Sequence, residues 1–188
     1  MRIFNRTAAA LLLVLLINPN IYTQDFGKKT ILKSDVLLPT AALFSNYNFR
    51  SFSIETLLFS QSSIQVSYLG AEWSLYRQRN GKYFEVGPEY KFFLREEYKG
   101  LYLGAYSKYT QLDENYYGII YHFINHSIAF GGLAGYQVYF FKNTITVDFL
   151  IALGHSWLVS SESVAGYPYA ESKNLINGRI ALNLGFRF

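Results

Sequence analysis

The residues that come closest to a catalytic set lie in one short segment near the end of the chain. His155, Ser156 and Glu162 occur in that order, with Ser160 and Ser161 between them. A serine activated by a histidine is the arrangement that performs acyl transfer and hydrolysis. However, adjacent residues of a β-strand point to opposite faces, so on a strand the histidine cannot activate its neighbouring serine. We therefore expect no catalytic residues here.

Two other pairs of residues have spacings that do not suit the chemistry their side chains could perform. Glu85 and Glu89 are four residues apart, about 13 Å along an extended chain, which is beyond the reach of a glycosidase carboxylate pair. His122 and His126, four residues apart, come close enough to share a metal ion only on a helix, and no carboxylate at ligand spacing accompanies them. The chain has no cysteine, which excludes disulfides, thiolate catalysis and cysteine-based metal sites. We expect no metal site and no cofactor.

The composition is unlike that of a soluble domain. Aromatic residues make up 19% of the 188 residues, with 17 Tyr and 16 Phe, and charged residues make up only 16%, below the usual share of about 25%. The length fits one domain. After the first segment no run approaches the about 20 apolar residues of a transmembrane helix, so a membrane would have to be crossed by strands. No cluster of basic residues suggests nucleic acid as a partner.

The first residues have the order of an export signal. Arg2 and Arg6 precede an unbroken apolar run over residues 8–17, and Pro19 follows. That order is typical of a secretory signal peptide. The run is shorter than the about 20 residues of a membrane anchor, although an uncleaved anchor helix is the alternative. We predict that residues 1–24 are removed and that residues 25–188 form one mature domain.

From residue 30 onward the chain alternates apolar and polar residues in segments of about ten, with no sustained helical period. This pattern predicts an all-β fold. Strands are predicted at residues 31–39, 49–59, 64–75, 83–94, 101–112, 127–140, 145–160 and 175–188. Eight strands in succession predict an antiparallel up-and-down transmembrane β-barrel.

The predicted connections alternate in length. Those at 60–63, 95–100 and 141–144 are short, whereas those at 113–126 and 161–174 are long. Bacterial outer-membrane barrels have short periplasmic turns and long extracellular loops. The asymmetry therefore predicts an outer-membrane location, with a ligand, partner or host surface contacting the loops around residues 116–126 and 161–173. The segment 113–126 is rich in Tyr and Ile, so strands that continue above the membrane are the alternative interpretation.

The last predicted strand shows the alternation most clearly. From Ile176 to Phe188 the even positions are apolar or Gly, whereas the odd positions include Arg179 and Arg187. In a membrane barrel the apolar face contacts lipid and the polar face points inward. The same phase in the second, fourth, seventh and eighth strands places these charged side chains inside: Glu55, Glu85, Glu89, Lys91, Asp148, Arg179 and Arg187. The first, third and fifth strands are ambiguous by one residue.

An eight-stranded barrel is just wide enough for its side chains to fill. We therefore expect the inward charges to pair with one another and to plug the interior, with Glu85 and Glu89 as partners for Lys91 and Arg179. A gated or very small pore is the functional alternative. Aromatic residues near strand ends are candidates for interfacial girdles, although any aromatic-rich β-protein would place some there: Tyr68, Trp73, Tyr83, Tyr90, Tyr139, Phe140 and Trp157.

Three stretches carry a resemblance to known proteins. They are SFSIE at 51–55, GPEYKFF at 87–93 leading into GLYLG at 100–104, and LNLGFRF at 182–188. On these the chain resembles small outer-membrane barrels of Gram-negative bacteria and, more narrowly, a family of unknown function abundant in Bacteroidetes. The resemblance implies that the terminal Phe188 belongs to the last-strand signal that the barrel assembly machinery reads.

We predict an outer-membrane barrel with a structural or surface-interaction role and no catalysis, whose partners are membrane lipid, the assembly machinery and a ligand at the loops. Two alternatives stay open. The order of His155, Ser156 and Glu162 is similar to that of the outer-membrane lipid A deacylase, which suggests a lipid-modifying enzyme. Because periodicity does not reveal which face is outside, a secreted soluble barrel that binds an apolar ligand is the second alternative.

Overall fold

The computed structural model describes residues 30–37, 47–75, 79–95, 98–116, 121–164 and 175–188. The predicted signal peptide, residues 1–24, lies outside this part of the chain. The described residues form eight strands: β1 (Thr30–Asp35), β2 (Tyr47–Phe59), β3 (Ser62–Leu75), β4 (Arg79–Phe93), β5 (Gly100–Tyr116), β6 (Tyr121–Phe140), β7 (Ile145–Val164) and β8 (Leu175–Arg187). None of the helices in these ranges is long and apolar enough to cross a membrane.

The eight strands form one closed antiparallel barrel in which each strand pairs with its neighbours in sequence and β1 pairs with β8. At the closure, the Phe188 backbone N–H donates to the carbonyl of Thr30 at 3.0 Å. Closure satisfies both edges of the sheet, which an open sheet would leave as unpaired backbone groups. The predicted fold class, an eight-stranded antiparallel barrel, is confirmed.

The strands are strongly staggered around the barrel. Leu32 pairs with Ile54 on β2 and with Phe186 on β8. The row of register partners that runs from Ile54 through β3 to β7 instead reaches Ile176 on β8. This offset of ten residues along β8 is the shear that accompanies tilted strands. Rows of paired residues therefore rise along the barrel axis from β1 to β8.

The two faces of the wall have opposite polarity. Outward side chains are large and apolar, with Leu153 63%, Ile180 60% and Leu103 56% exposed. Inward side chains include ionic groups that solvent does not reach, among them Lys91 and Asp148 at 0%. This arrangement is the inverse of the usual one in soluble proteins, where charged residues are almost never fully buried and lie at the surface.

Small residues on the inner face of β6 and β7 make room for aromatic rings from β5. A Cβ added to Gly131 would lie 2.6 Å from Cε1 of Tyr106 and would overlap the backbone of Leu153 and Gly154. Glycine is thus the residue that permits this close approach of ring and backbone. The Tyr106 ring occupies the space that a side chain at this position would take, and it is only 4% exposed.

We call the end of the barrel that carries residues 60–61, 94–95, 98–99 and 141–144 the turn end, and the opposite end the loop end. The prediction of a long loop over residues 113–126 was wrong. β5 continues to Tyr116, β6 begins at Tyr121, and Asp113 pairs with Ile124. On this extension of the ladder Phe123 packs inward and is only 8% exposed. Only residues 117–120 of this predicted loop lie outside the described residues.

β7 also runs further than predicted, to Val164 instead of residue 160. A bulge accommodates the extension, because Ser127 pairs with Leu158 whereas His126 pairs with Ser160. The remainder of the predicted loop at 161–174, residues 165–174, lies outside the described residues.

Three predicted girdle aromatics lie on the inner face instead. The Tyr83 hydroxyl donates to Glu85 at 2.8 Å, and the Tyr139 hydroxyl accepts from Nε2 of Gln137 at 2.7 Å. Trp73 packs on Gly81. Their strand phase decides this, since each lies an even number of residues from an inward polar side chain. The other candidates, Tyr68, Tyr90, Phe140 and Trp157, lie on the outward face by the same phase.

Candidate functional site in the barrel interior

Four charged side chains from four different strands meet near the turn end. They form the turn-side cluster: Lys33, Glu55, Lys91 and Asp148. The Lys33 ammonium contacts both Glu55 and Asp148, the latter at 2.7 Å, and Lys91 lies 2.8 Å from Asp148. All four side chains are fully buried. Two cations and two anions at contact distance make the cluster neutral, which buried charges require.

A second group lies toward the loop end. This loop-side cluster consists of Glu85, Glu89, Lys108 and Arg179. Lys108 contacts Glu85 at 2.5 Å, and the Arg179 guanidinium donates to Glu89 at 2.8 Å. It also contains two cations and two anions. β4 supplies both carboxylates, while β5 and β8 supply the cations from other parts of the wall.

Gln65 on β3 connects the two clusters. Its Oε1 accepts from Lys91 at 2.9 Å, and its Nε2 donates to Glu89 at 3.3 Å. Ser67 on the same face donates to Glu89 at 2.8 Å. The carboxylates thus accept hydrogen bonds from neutral as well as charged donors. Such additional bonds are what allow buried ion pairs to be tolerated.

Apolar and aromatic side chains fill the turn end beneath the turn-side cluster. Phe93 packs against Tyr98 and Tyr102 with ring centroids 6.0 Å and 5.3 Å away. The Tyr102 hydroxyl donates to Asp148 at 2.6 Å, and Lys91 lies 4.8 Å from the centre of the Tyr102 ring. The same tyrosine therefore belongs to the apolar base and to the ionic network above it.

A small cavity lies in the interior beside the loop-side cluster. Its volume is about 10 Å³, and its lining includes Asp35, Ser53, Arg179 and Asn183. This is about the volume that one water-sized probe occupies. A space of this size does not accommodate a substrate or a hydrated ion.

The structure brings six of the seven predicted inward charges into the two clusters and leaves Arg187 apart from them. The Arg187 guanidinium lies 5.4 Å from the centre of the Tyr139 ring at the turn end. One expected pairing, Arg179 with Glu89, is present at 2.8 Å. Lys91 contacts Asp148 and Gln65 instead of the two glutamates of its own strand.

Sequence reasoning missed Lys33, Gln65, Tyr102 and Lys108. All lie on β1, β3 or β5, whose phases were ambiguous because both faces carry polar residues. Charge balance could have indicated that Lys33 and Lys108 also point inward. The predicted inward set has four carboxylates and only three cations, and a buried network must be close to neutral.

The candidate catalytic residues His155 and Ser156 lie on opposite faces of β7. His155 faces outward, where its ring packs against Trp157 with centroids 4.5 Å apart. Ser156 lies on the opposite face of β7, as residue i+1 of a strand must.

The other histidines have different contacts: His122 Nε2 lies 2.9 Å from Asp113, and His126 Nδ1 lies 2.5 Å from the Tyr109 hydroxyl. In the described ranges no three His, Asp or Glu residues form a group that could hold a metal ion.

Residues 9–179 match the family described as protein of unknown function DUF3575. The chain belongs to this family. The structure is similar to the crystal structure of Ail, the attachment invasion locus protein of Yersinia pestis, with a TM-score of 0.50 and 12% sequence identity over 86% of this chain and 97% of that chain. At this identity the likeness concerns the fold. No curated protein sequence matches the chain.

Proposed function

We propose that this member of the DUF3575 family is a bacterial outer-membrane β-barrel with a plugged interior, and that its role is structural or a surface interaction without catalysis. The observation that carries the proposal is the reversed polarity of the wall. Leu, Ile and Phe side chains cover the outward face, while the eight ionic side chains of the two clusters lie inside. In water such an outer face would promote aggregation, whereas in a bilayer it is the expected surface.

The plug follows from the interior contacts. Every cation of the two clusters contacts a carboxylate, and the rings of Tyr102, Tyr106 and Phe93 are buried in the interior beside the clusters. In an eight-stranded barrel side chains of this size occupy the whole cross-section. A conducting pore would need all these pairs to separate in a low-dielectric interior, which is costly.

The polarity also argues against the soluble alternative. A soluble barrel that binds an apolar ligand needs an apolar interior and a polar exterior. Here the interior near Glu55, Gln65 and Glu89 is ionic and filled. His155 and Ser156 lie on opposite faces of β7, so the histidine cannot activate the serine. This separation argues against a lipid-modifying enzyme.

A surface role is supported by strands that run beyond part of the wall. β8 begins at Leu175 opposite Ser156, whereas β7 continues to Val164 paired with β6. Beyond Val159, the residues Ser160–Ser163 of β7, which include Glu162, are polar and exposed. We infer that β5, β6 and β7 project from the membrane at the loop end, which would be extracellular, and present a surface to a ligand or partner. A Gram-negative source of the Bacteroidetes type remains a prediction from the sequence resemblance.

The proposal is tested by fractionating expressing cells and by comparing the gel mobility of the detergent-extracted protein before and after boiling. We expect recovery in the outer-membrane fraction and different mobilities for the folded and boiled forms. Planar-bilayer recordings of the folded form should show no steady conductance. Recovery as a detergent-free periplasmic protein would overturn the membrane proposal, and a steady conductance would overturn the plug.

A further inference from the structure

The outward face of β2 to β5 contains a recess near the loop end. Its volume is about 210 Å³, and its lining includes Arg50, Tyr68, Gly70, Glu72, Lys82 and Phe84. The register places Gly70 between Arg50 and Phe84 in neighbouring strands. Because Gly70 has no side chain, the Tyr68 ring can lie over it, and a Cβ there would meet the Tyr68 hydroxyl at 2.7 Å. A second cavity toward the loop end, of about 380 Å³, shares Glu72 and Lys82 with it.

The recess lies where the outward face changes from apolar to charged. Toward the turn end, Phe52 stacks on Tyr68 with centroids 5.0 Å apart, and Phe84 packs against Tyr109 at 5.8 Å. Toward the loop end, Glu72 and Lys82 are register partners. Aromatic rings followed by charged groups are the usual order at the interface between the acyl chains and the headgroups of a bilayer.

Arg50 occupies an unusual position for a charged residue. It lies two residues from Phe52 on the same outward face of β2, and the stagger of the barrel places it lower than Glu72 or Lys82. A guanidinium so close to the acyl region has to extend toward the headgroups or bind an anion there.

The charged groups of the recess are available to a ligand. Within the described ranges Arg50, Glu72 and Lys82 are exposed and form no ion pair, whereas Asp113 beside them lies 2.9 Å from His122. The recess therefore offers two cations together with carboxylate and amide acceptors. A phosphate suits the guanidinium and the ammonium, and hydroxyl or amide donors next to it suit Glu72.

We propose that this recess binds the headgroup of an outer-leaflet glycolipid that carries a phosphate on its sugar. Arg50 and Lys82 contact the phosphate, and Glu72 accepts a hydrogen bond from the sugar. The inference rests on the proposed membrane location, because only there does the recess face lipid headgroups. A binding contribution of about 1 kcal/mol for each basic residue near a membrane surface corresponds to about thirtyfold for the pair.

The test uses the full mature chain, folded in detergent, with lipid A and dephosphorylated lipid A as probes and native mass spectrometry as the readout. The variant is Arg50→Gln with Lys82→Gln. The matched control is Arg95→Gln with Lys142→Gln, which removes two exposed cations at the turn end. All three proteins should keep the mobility difference between folded and boiled forms.

We expect wild type and control to prefer the phosphorylated lipid by about thirtyfold, and we expect the Arg50/Lys82 variant to lose that preference. An unchanged preference in this variant, or equal binding of the two lipids by wild type, would overturn the inference. Equally tight binding of soluble glucosamine phosphate would overturn the assignment to a lipid. Failure of wild type to show a folded form in detergent would count against the membrane proposal instead.

Discussion

Lys91 and Asp148 lie 57 residues apart in the chain and meet at 2.8 Å inside the barrel, with both side chains fully buried. One comes from β4 and the other from β7, strands that are not neighbours in the sheet. The pair therefore connects distant parts of the wall across the interior. Asp148 also accepts from Lys33 and from Tyr102, so one carboxylate serves three donors.

Replacement of this carboxylate should destabilise the barrel strongly. In Asp148→Asn two buried ammonium groups lose their shared anion, and breaking a buried pair costs about 3–5 kcal/mol. Urea titration of the protein folded in lipid vesicles should show this loss in the free energy of unfolding. The control is Glu162→Gln on the same strand, where the side chain is exposed and the expected change is within about 0.5 kcal/mol. Equal effects of the two variants would argue against the ionic plug.

Two adjacent glycines of β6 should differ sharply. A Cβ at Gly131 would overlap the backbone of Leu153 and lie against Tyr106, whereas a Cβ at Gly132 meets nothing nearer than 3.8 Å. Gly131→Ala should therefore lower the free energy of unfolding by about 1–3 kcal/mol through overpacking, and Gly132→Ala should leave it nearly unchanged. The same vesicle titration measures both. A neutral Gly131→Ala would mean that the interior is packed less tightly than described.

Substitution of the last residue should affect assembly in cells more than stability. The Phe188 side chain is 58% exposed, and the closing hydrogen bonds to Thr30 use only backbone atoms. Phe188→Ala should therefore refold in detergent like wild type yet reach the outer membrane in smaller amounts. Phe141→Ala, which removes an exposed phenylalanine from the turn between β6 and β7, is the control for hydrophobicity at this end. Equal amounts of both variants in the membrane would remove Phe188 from the assembly signal.

Loss of the outward histidine should leave membrane lipids unchanged. His155 and Ser156 lie on opposite faces of β7, so neither His155→Gln nor Ser156→Ala removes a working pair. Mass spectrometry of lipid A from cells that express each variant, wild type or no protein should give the same acylation pattern. A pattern that changes with wild type and reverts with His155→Gln would show that the barrel is an enzyme.

The sequence predicted the eight strands and the inward charges of β2, β4, β7 and β8 because apolar and polar residues alternate in these strands, most clearly in β8 and less clearly in β7. Lys33 and Lys108 were missed for a physical reason. Lys33 is followed by the outward Ser34, and Lys108 follows the outward Ser107, so polar residues occupy both faces and no phase stands out.

Strand ends were harder to predict than strand centres. A loop was predicted from Asp113 onward, but Asp113 and Asn115 are polar residues on the outward face of a strand that continues to Tyr116. Beyond the apolar band the outward residues become polar, but the backbone pairing between the strands continues. Composition therefore located the boundary of the apolar band and not the end of the strand. The partners of the inward charges depend on the stagger of the barrel, which no local pattern encodes.

The chain's two tryptophans allow the most direct test of the barrel's reversed polarity. Trp157 faces outward and is 43% exposed beside Phe130, whereas Trp73 packs inward on Gly81. The variants Trp73→Phe and Trp157→Phe each leave one emitter, and both can be folded into vesicles whose acyl chains carry bromine. We predict strong quenching of Trp157 and little quenching of Trp73, relative to unbrominated lipid. Absence of quenching at Trp157, or stronger quenching at Trp73, would contradict an apolar outer wall in lipid around a filled ionic interior.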